Sequence, residues 1–329
     1  MAVRPKVRHV IGTFGLNPYD DPDLENDRSI VELWDSLPPL LLGRTFLHEG
    51  CNIVVAMDWT PVRKLLTKQF RTSTRAPKKI RLLAQVEITS RNEFSKYDWY
   101  PEFFVESYLY DLFIALNLAL PGAADFFNVT VETVGPRQPE RLDLSAFYFE
   151  TAFRSRDQWP TLQYIDLRTV SVWFNRVRTG FSQVPDTPVE RALFAMLHVC
   201  RSNGRPEDIV WLFYAFESLF KTRVGENYSA LLERICLLLQ PDGAQEKLLR
   251  KNMRAMYEFR SAFVHGGLQI IRPMHNERMD KRVDESYGKT VELSQYGTKL
   301  LLGCLQRYIQ ENWRDVRYKT TVEPVDDEV

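Results

Sequence analysis

A short segment near the end of the chain, MYEFRSAFVHGG (256–267), combines a permanent cation, an ionisable imidazole and two glycines. Arg260 offers a planar guanidinium that binds phosphate or carboxylate oxygens through two parallel hydrogen bonds. His265 exchanges a proton near neutral pH, so it can act as a general acid or a general base. Together these two side chains could hold an anionic group and transfer a proton to or from it.

The spacing predicts that one helix over residues 242–267 carries both side chains. Arg260 and His265 are five residues apart, which is about 140° of rotation on a straight helix, so one helix does not direct both at one small target. Two arrangements would solve this: the helix unwinds at 266–267 and turns His265 inward, or two copies of the helix meet across a symmetry axis. A purely structural alternative is that both side chains bond the last carbonyls of the helix. The predicted buried face is Leu249, Met253, Met256, Phe259 and Phe263.

The second half of the chain is predicted to be helical almost throughout. A capping box is predicted at the start of one helix, with Thr187 as the N-cap, Pro188 at the first helical position and Glu190 at the third. A later helix has candidate capping residues in Asp242 and Gln245. Short connections between long amphipathic helices predict an all-α up-and-down bundle. The predicted helices span 186–204, 206–222, 227–240, 242–267 and 289–313, and 167–180 is a candidate for a further helix.

The first half mixes strand and helix signals, which predicts an α+β domain. Apolar positions at helical spacing predict a helix over 102–120. We therefore divide the chain into an α+β domain of unknown family at 1–160, which senses or positions, and a helical bundle at 161–329. The predicted strands are 52–57, 82–88, 127–134 and 145–153.

Composition restricts the possible partners. The 329 residues carry 43 basic and 43 acidic side chains, so a nucleic acid would have to be bound by a local basic patch. The four cysteines contain no CxxC pair, and HExxH, Walker, GxGxxG and GxSxG motifs are absent, so neither metal nor cofactor is expected. The sequence shows neither a signal peptide nor an apolar run that would span a membrane, which predicts a cytoplasmic protein without a membrane partner.

The segment YEFRSAFVHGG resembles the signature of the HEPN superfamily, in which an arginine and a histidine are separated by four to six residues on a helix of a bundle. The form with Tyr257 three residues before the arginine and Ser261 after it is similar to the Apea-like HEPN branch. The segment AFESLF (215–220), with Glu217 in an apolar helix, is also similar to that branch, as is the helix order from about 187 to 313. The resemblance implies an HEPN-like bundle in the C-terminal half.

The resemblance also implies an activity, because many HEPN proteins are metal-independent endoribonucleases in defence, toxin–antitoxin or RNA-processing systems. It implies that Arg260 and His265 are catalytic, with RNA as the substrate and a homodimer supplying the second histidine. Ser261 could contact the phosphate, and Tyr257 could bond Arg260 or stack on a base, although both are also ordinary residues of a helix surface. Glu217 could orient Arg260 through an ion pair, or it could support the bundle alone.

Two basic segments are candidates for RNA contact, with solvated surface charge as the alternative. One lies between residues 63 and 81, and the other lies on the helix that carries the Arg-His pair. The RNA-binding candidates are Arg71, Arg75, Lys78, Lys79 and Arg81 in the first segment, and Lys247, Arg250, Lys251 and Arg254 in the second.

The sequence therefore predicts an HEPN-type endoribonuclease, in a defence or toxin-like system, with a possible regulatory or antitoxin-like protein partner. The alternative is a catalytically inactive HEPN module that dimerises or binds a partner, with specificity in the N-terminal half.

Overall fold

A computed structural model gives the three-dimensional structure of the chain. It describes residues 6–16, 24–48, 50–72, 78–90, 100–133, 140–178, 182–201, 204–222, 228–272, 274 and 278–318.

Strands of the first half form one antiparallel sheet within the described residues. The strands are β1 (Lys6–Leu16), β2 (Gly43–His48), β3 (Cys51–Met57), β4 (Lys78–Ser90), β5 (Thr130–Thr133) and β6 (Glu140–Arg141). Their order is β2-β3-β4-β1-β5-β6, and each pairing is antiparallel. The predicted strands at 52–57 and 82–88 are confirmed within β3 and β4, and β5 is a shorter form of the strand predicted at 127–134.

One helix lies between the sheet and the helical half of the molecule. The helices of the first half are α1 (Leu24–Asp35), α2 (Pro39–Leu42), α3 (Thr60–Thr72), α4 (Pro101–Ala119) and α5 (Phe147–Arg154). The helix predicted at 102–120 is confirmed as α4, which packs against β1, β3, β4 and β5 as well as against helices from the second half. Because its second half is covered on all sides, every residue from Asp111 to Ala119 is buried, and most of them are apolar.

The strand predicted at 145–153 is wrong, because that segment forms α5. Its buried residues are Tyr148, Phe149, Ala152 and Phe153, which recur at the spacing of a helix and pack mainly against the last helix of the chain. The aromatic residues favoured a strand by propensity, but burial against a helix determined the outcome.

Helices make up the regular structure of the second half within the described residues. They are α6 (Leu167–Val177), α7 (Pro188–Arg201), α8 (Glu207–Leu219), α9 (Tyr228–Leu239), α10 (Gly243–Val264) and α11 (Lys281–Gln310). The long α11 packs against α8, α9 and α10. The combination of an antiparallel sheet with a C-terminal helical region is confirmed, while the HEPN arrangement of the helices stays a prediction.

Both predicted caps are present. Glu190 N donates to Thr187 Oγ1 and Thr187 N donates to Glu190 Oε2, each at 3.1 Å, so the capping box of α7 is complete. Asp242 accepts from the backbone at the start of α10, and Gln245 accepts from Asp242 N at 3.0 Å.

The buried face of α10 is shorter than the sequence predicts. Leu249, Met253, Met256 and Phe259 are buried as expected, whereas Phe263 is only half-buried. Phe263 lies in the last turn, next to residues that face solvent, so fewer neighbours cover its ring.

The start of the last helix differs from the prediction. The sequence predicts a helix over 289–313, whereas α11 begins at Lys281, after Asp280, whose side chain accepts from Arg282 N at 3.0 Å. The first two turns are mostly exposed and charged, so they lack the apolar periodicity that reveals a helix.

The apolar core is continuous across the predicted boundary at residue 160. Buried residues on both sides belong to one cluster, with α4 contacting α6, α7 and α11. The division at 160 stays a prediction about the sequence, and the helical half is packed directly on the helix that supports the sheet.

Candidate functional site

The end of α10 determines where His265 lies. Gly267 N donates to Ala262 O at 2.7 Å and Gly266 N donates to Phe263 O at 3.3 Å, which is the pattern of a Schellman motif. Gly266 has φ +75, a left-handed conformation that favours glycine. The glycine pair of the sequence motif is therefore a helix terminator.

His265 is the last residue before the chain leaves the helix. Its backbone N still donates to Ser261 O at 3.0 Å, and its side chain is exposed. The unwinding that would turn His265 inward does not occur, because the helical hydrogen bonding continues through this residue. The imidazole lies at the solvent-facing end of α10.

Arg260 points to α8 and is held there by two contacts. Its Nη1 donates to Glu217 Oε1 at 2.7 Å, and its Nη2 donates to Glu217 Oε2 at 3.5 Å. The guanidinium carbon also lies 5.1 Å from the centre of the Phe213 ring, a cation–π contact. Phe213 and Glu217 are one turn apart on α8, so a single face of that helix fixes the guanidinium. The pair is half-buried, with Arg260 29% and Glu217 36% exposed.

Tyr257 contacts the same phenylalanine from one turn earlier on α10. Its ring centre lies 6.1 Å from that of Phe213 in an edge-to-face arrangement, and 5.2 Å from that of Tyr228. Burial raises the pKa of Tyr228 to about 12, with the nearby arginines opposing that shift. Tyr257 remains exposed, so it can also contact a ligand.

The structure brings Glu217 to Arg260 but does not bring His265 to the same face of α10. Five residues separate Arg260 from His265, and the helix rotates by about 140° over that interval. Ser261 is half-buried between them, and its carbonyl accepts from His265 N. One chain therefore presents an oriented cation on one side and an exposed imidazole on another.

The basic stretch of α10 is partly neutralised by its own helix. Arg250 Nε donates to Glu246 Oε1 at 2.8 Å, and Arg254 Nε donates to Glu258 Oε1 at 2.9 Å. Lys247 and Lys251 are exposed on the same helix. The lysines are therefore the better candidates for phosphate contact in this segment.

The N-terminal basic segment is described only in part. Arg75 lies outside the described residues, as do the side chains of Arg71, Lys78 and Lys79. Arg81 extends from β4 on the exposed side of the sheet and pairs with Glu132 of β5 at 2.6 Å. That pair reduces the positive charge which Arg81 would offer to RNA.

The sequence analysis did not identify two features of this region. The Phe213 ring packs against the guanidinium of Arg260. Its position one turn before Glu217 on the same helix was a sequence signal for this contact. A buried network joins Arg44, Asp111, Arg178 and Glu190, whose members are too far apart in sequence to be associated by spacing.

Neither a metal site nor a membrane span is found in the part of the chain that the structure describes. Within those residues there is no group of three or more histidine, cysteine, aspartate or glutamate side chains that could hold a metal ion. Within the same residues, no helix is both long and apolar enough to cross a membrane.

Comparisons of the chain with protein-family models, with curated proteins and with solved structures find no match. The HEPN resemblance therefore depends on the Arg-His segment, the AFESLF segment and the order of the helices.

Proposed function

We propose that the protein is a metal-independent endoribonuclease of the HEPN type. The observation that carries the proposal is the fixed orientation of Arg260. Glu217 and Phe213 hold its guanidinium on a half-exposed surface, and a histidine lies exposed at the end of the same helix. A structural arginine needs no such exposure, whereas a phosphate-binding arginine does.

The chemistry follows from the side chains. The RNA 2′-hydroxyl attacks the adjacent phosphorus, the bond to the 5′-oxygen breaks, and the products are a 2′,3′-cyclic phosphate and a free 5′-hydroxyl. Arg260 has five N–H donors, and the contacts with Glu217 involve only its two Nη groups, so further N–H donors can bind phosphate oxygens. His265 transfers the proton.

A homodimer completes the site in this proposal. The reaction needs one group to remove the 2′-hydroxyl proton and another to protonate the leaving oxygen. The Arg-His segment of one chain has only one histidine, His265, for these two proton transfers. Two copies of the α10 end would supply two imidazoles and two guanidinium groups to one cleft. Light scattering at micromolar concentration tests this step, and a strict monomer that cleaves RNA would contradict it.

The decisive experiment compares the purified protein with an Arg260→Ala His265→Ala variant on bulk cellular RNA. We expect cleavage by the wild type alone, unchanged by a chelator, leaving cyclic phosphate ends. RNA with a 2′-methoxy group at the cut position should resist. Chelator-sensitive cleavage that leaves 5′-phosphate ends would contradict the proposal.

The biological setting proposed is a defence or toxin-like system with a regulatory or antitoxin-like partner. Controlled expression of the wild type in a bacterial host should arrest growth and fragment RNA, and the double variant should do neither. Growth unaffected by an active nuclease would contradict this setting.

The second candidate is a catalytically inactive HEPN module for dimerisation or partner binding. The observation that favours it is the same ion pair, since Glu217 neutralises Arg260 and occupies part of its hydrogen-bonding edge. A pure protein that dimerises but leaves RNA intact under the conditions above would support this candidate.

A further inference from the structure

An aromatic platform lies on the exposed face of α7 and α8, and consists of His198, Trp211 and Tyr214. The rings of His198 and Trp211 stack in parallel, with centres 4.0 Å apart and planes 8° apart. Tyr214 lies nearly perpendicular to Trp211, with centres 6.2 Å apart and planes 80° apart. Tyr214 is 41% exposed, and His198 is also exposed. Trp211 is half-buried against the core, so it supports two exposed rings that can stack on another ring.

One edge of the platform lies next to the candidate site. Tyr214 and Glu217 are three residues apart on α8, so they are neighbours about 60° apart around the helix and about 4.5 Å apart along its axis, whereas Trp211 is about 120° from Glu217. Glu217 holds Arg260, and Phe213, beside Tyr214 in the chain, lies under that guanidinium. A nucleotide with its phosphate at Arg260 would therefore have its base, or that of a neighbour, within reach of Tyr214.

The charge around the platform suits RNA. Burial lowers the pKa of His198, and the positive charge of Arg201 lowers it further, so at neutral pH the imidazole is an uncharged stacking partner for Trp211. Arg201 follows His198 by three residues on α7, so its positive charge is about one helical turn away from the imidazole. Aromatic rings flanked by cations are the common arrangement for binding single-stranded nucleic acid.

We propose that Tyr214, braced by Trp211 and His198, is a stacking subsite for an unpaired base of the RNA substrate. The inference rests on the proposed function and specifies its substrate. A base in a duplex is covered by its neighbours, so the subsite selects single strands and loops over double-stranded RNA. The bracing rings reduce the freedom that Tyr214 would lose on binding, which favours affinity.

The test measures the affinity of labelled single-stranded RNA for the His265→Ala protein, in which the RNA stays intact. Adding Tyr214→Ala should weaken binding roughly 10- to 100-fold, the range for loss of one stacked base, while Tyr214→Phe should stay close to the parent. The salt dependence of binding should not change, because no ionic contact is lost. Tyr164→Ala is the matched control, since Tyr164 is exposed but lies beside Ser36 of the first half.

A second arm uses RNAs that lack one base at successive positions. One abasic position should weaken binding to the parent by the same factor as Tyr214→Ala, and it should cause no further loss in the Tyr214→Ala protein. Equal affinity of the parent for single-stranded and duplex RNA, or an unchanged affinity of Tyr214→Ala, would overturn the subsite.

Two further outcomes distinguish this inference from its alternatives. If Tyr214→Ala disrupts a dimer in light scattering without RNA, the platform is a protein interface and the inference is wrong. If the wild type cleaves RNA normally while Tyr214 variants bind like the parent, the subsite fails and the proposed function stands. If the wild type neither binds nor cleaves RNA, both fail.

Discussion

Two arginine–carboxylate clusters in this molecule use the same chemistry in opposite environments. In the first, Arg44 Nη1 lies 2.8 Å from Asp111 Oδ2, Arg178 Nε lies 2.9 Å from Asp111 Oδ1, and Arg178 Nη1 lies 3.6 Å from Glu190 Oε1. Side-chain exposure in this network reaches 11% at most. In the second, Arg260 and Glu217 form a single half-exposed pair. Depth of burial, and not the residue types, separates a structural cluster from a candidate site.

The buried network connects residues of the first half of the chain with residues of the second half. Arg44 belongs to β2, Asp111 to α4 and Glu190 to the first turn of α7, while Arg178 follows the end of α6. Glu190 uses Oε1 for Arg178 and Oε2 for the cap of α7, so one carboxylate serves both functions. Burial lowers the pKa of Arg44, and the charge of Asp111 opposes that shift. The network has a balanced charge, because two arginines face two carboxylates.

The largest expected effect follows from breaking the buried network. Asp111→Asn removes the carboxylate that both Arg44 and Arg178 contact, and it leaves buried charge without compensation. We expect the free energy of unfolding to fall by about 3–5 kcal/mol, measured by urea denaturation. Glu132→Gln, which breaks the exposed pair with Arg81, is the control and should change it by less than about 1 kcal/mol. Equal effects of the two variants would remove the distinction between buried and exposed pairs.

Replacing Arg260 should affect RNA cleavage strongly and stability weakly, the opposite of what we expect for Asp111. Arg260→Ala is expected to reduce RNA cleavage about 10²–10³-fold, because it removes a positive group that stabilises the charged transition state. The free energy of unfolding should change by no more than about 1 kcal/mol, since the pair is half-exposed. Arg260→Lys should also cleave poorly because an ammonium lacks the planar fork. Strong destabilisation with unchanged cleavage would instead assign Arg260 to the framework.

Local signals explain what the sequence could predict. The caps at Thr187 and Asp242 were found because donor and acceptor lie within three residues of each other. The glycine pair at 266–267 also marked the end of α10, but the inward turn of His265 considered there does not occur. The strand β3 was also found, because its short apolar run is visible in the chain, whereas its alternating burial appears only in the structure.

Long-range contacts explain what the sequence could not predict. Asp111 lies 67 residues from both of its arginine partners, and a lone aspartate in an apolar helix does not identify them. The segment of α5 was assigned to a strand because its burial against α11 is invisible locally. The sequence analysis also did not predict β1, although it pairs with β4 along its whole length and occupies an interior position of the sheet. The link from Glu217 to Arg260 was anticipated only through the family resemblance.

A smaller effect is expected at Glu217, which acts through Arg260. Glu217→Gln keeps the shape of the side chain but removes the charge that orients the guanidinium. We expect the cleavage rate at saturating RNA to fall on the order of 10-fold, about the value of one charge-assisted hydrogen bond. The affinity for RNA should hold or rise, because a competing negative charge is gone. A fall in stability with an unchanged cleavage rate would mean that Glu217 supports the bundle only.

The smallest expected effect on stability concerns a third buried cation, Lys299 of α11. Its Nζ is held by carbonyl oxygens, so it can be compared with Arg44 and Arg178, which carboxylates hold in the first cluster. Its Nζ donates to the carbonyl oxygens of Ser155 and Gln158, at 2.5 and 2.7 Å. Burial lowers the pKa of Lys299 to about 8, and the charge of Asp157 opposes that shift only in part. Between pH 8 and the ordinary value of 10.5, the unfolded chain therefore binds more protons than the folded chain, so this group makes stability rise with pH.

Below pH 8 both states carry the charge, and the cost of burying it becomes constant. Burial also raises the pKa of Tyr296, a shift of the opposite kind that lowers stability only as the unfolded tyrosine ionises near pH 10. Burial likewise raises the pKa of the Cys200, Cys236 and Cys304 thiols, which lowers stability as the unfolded thiols ionise near pH 9. The wild type and a Lys299 variant share these thiols, so the difference between the two proteins from about pH 7 to about pH 9.5 isolates the lysine. Comparing the wild type with Lys299→Met, we expect the difference in unfolding free energy to shift in favour of the wild type as pH rises. If the difference in unfolding free energy between the two proteins does not change with pH, the two carbonyls stabilise the Lys299 ammonium as well as two carboxylates stabilise Arg178.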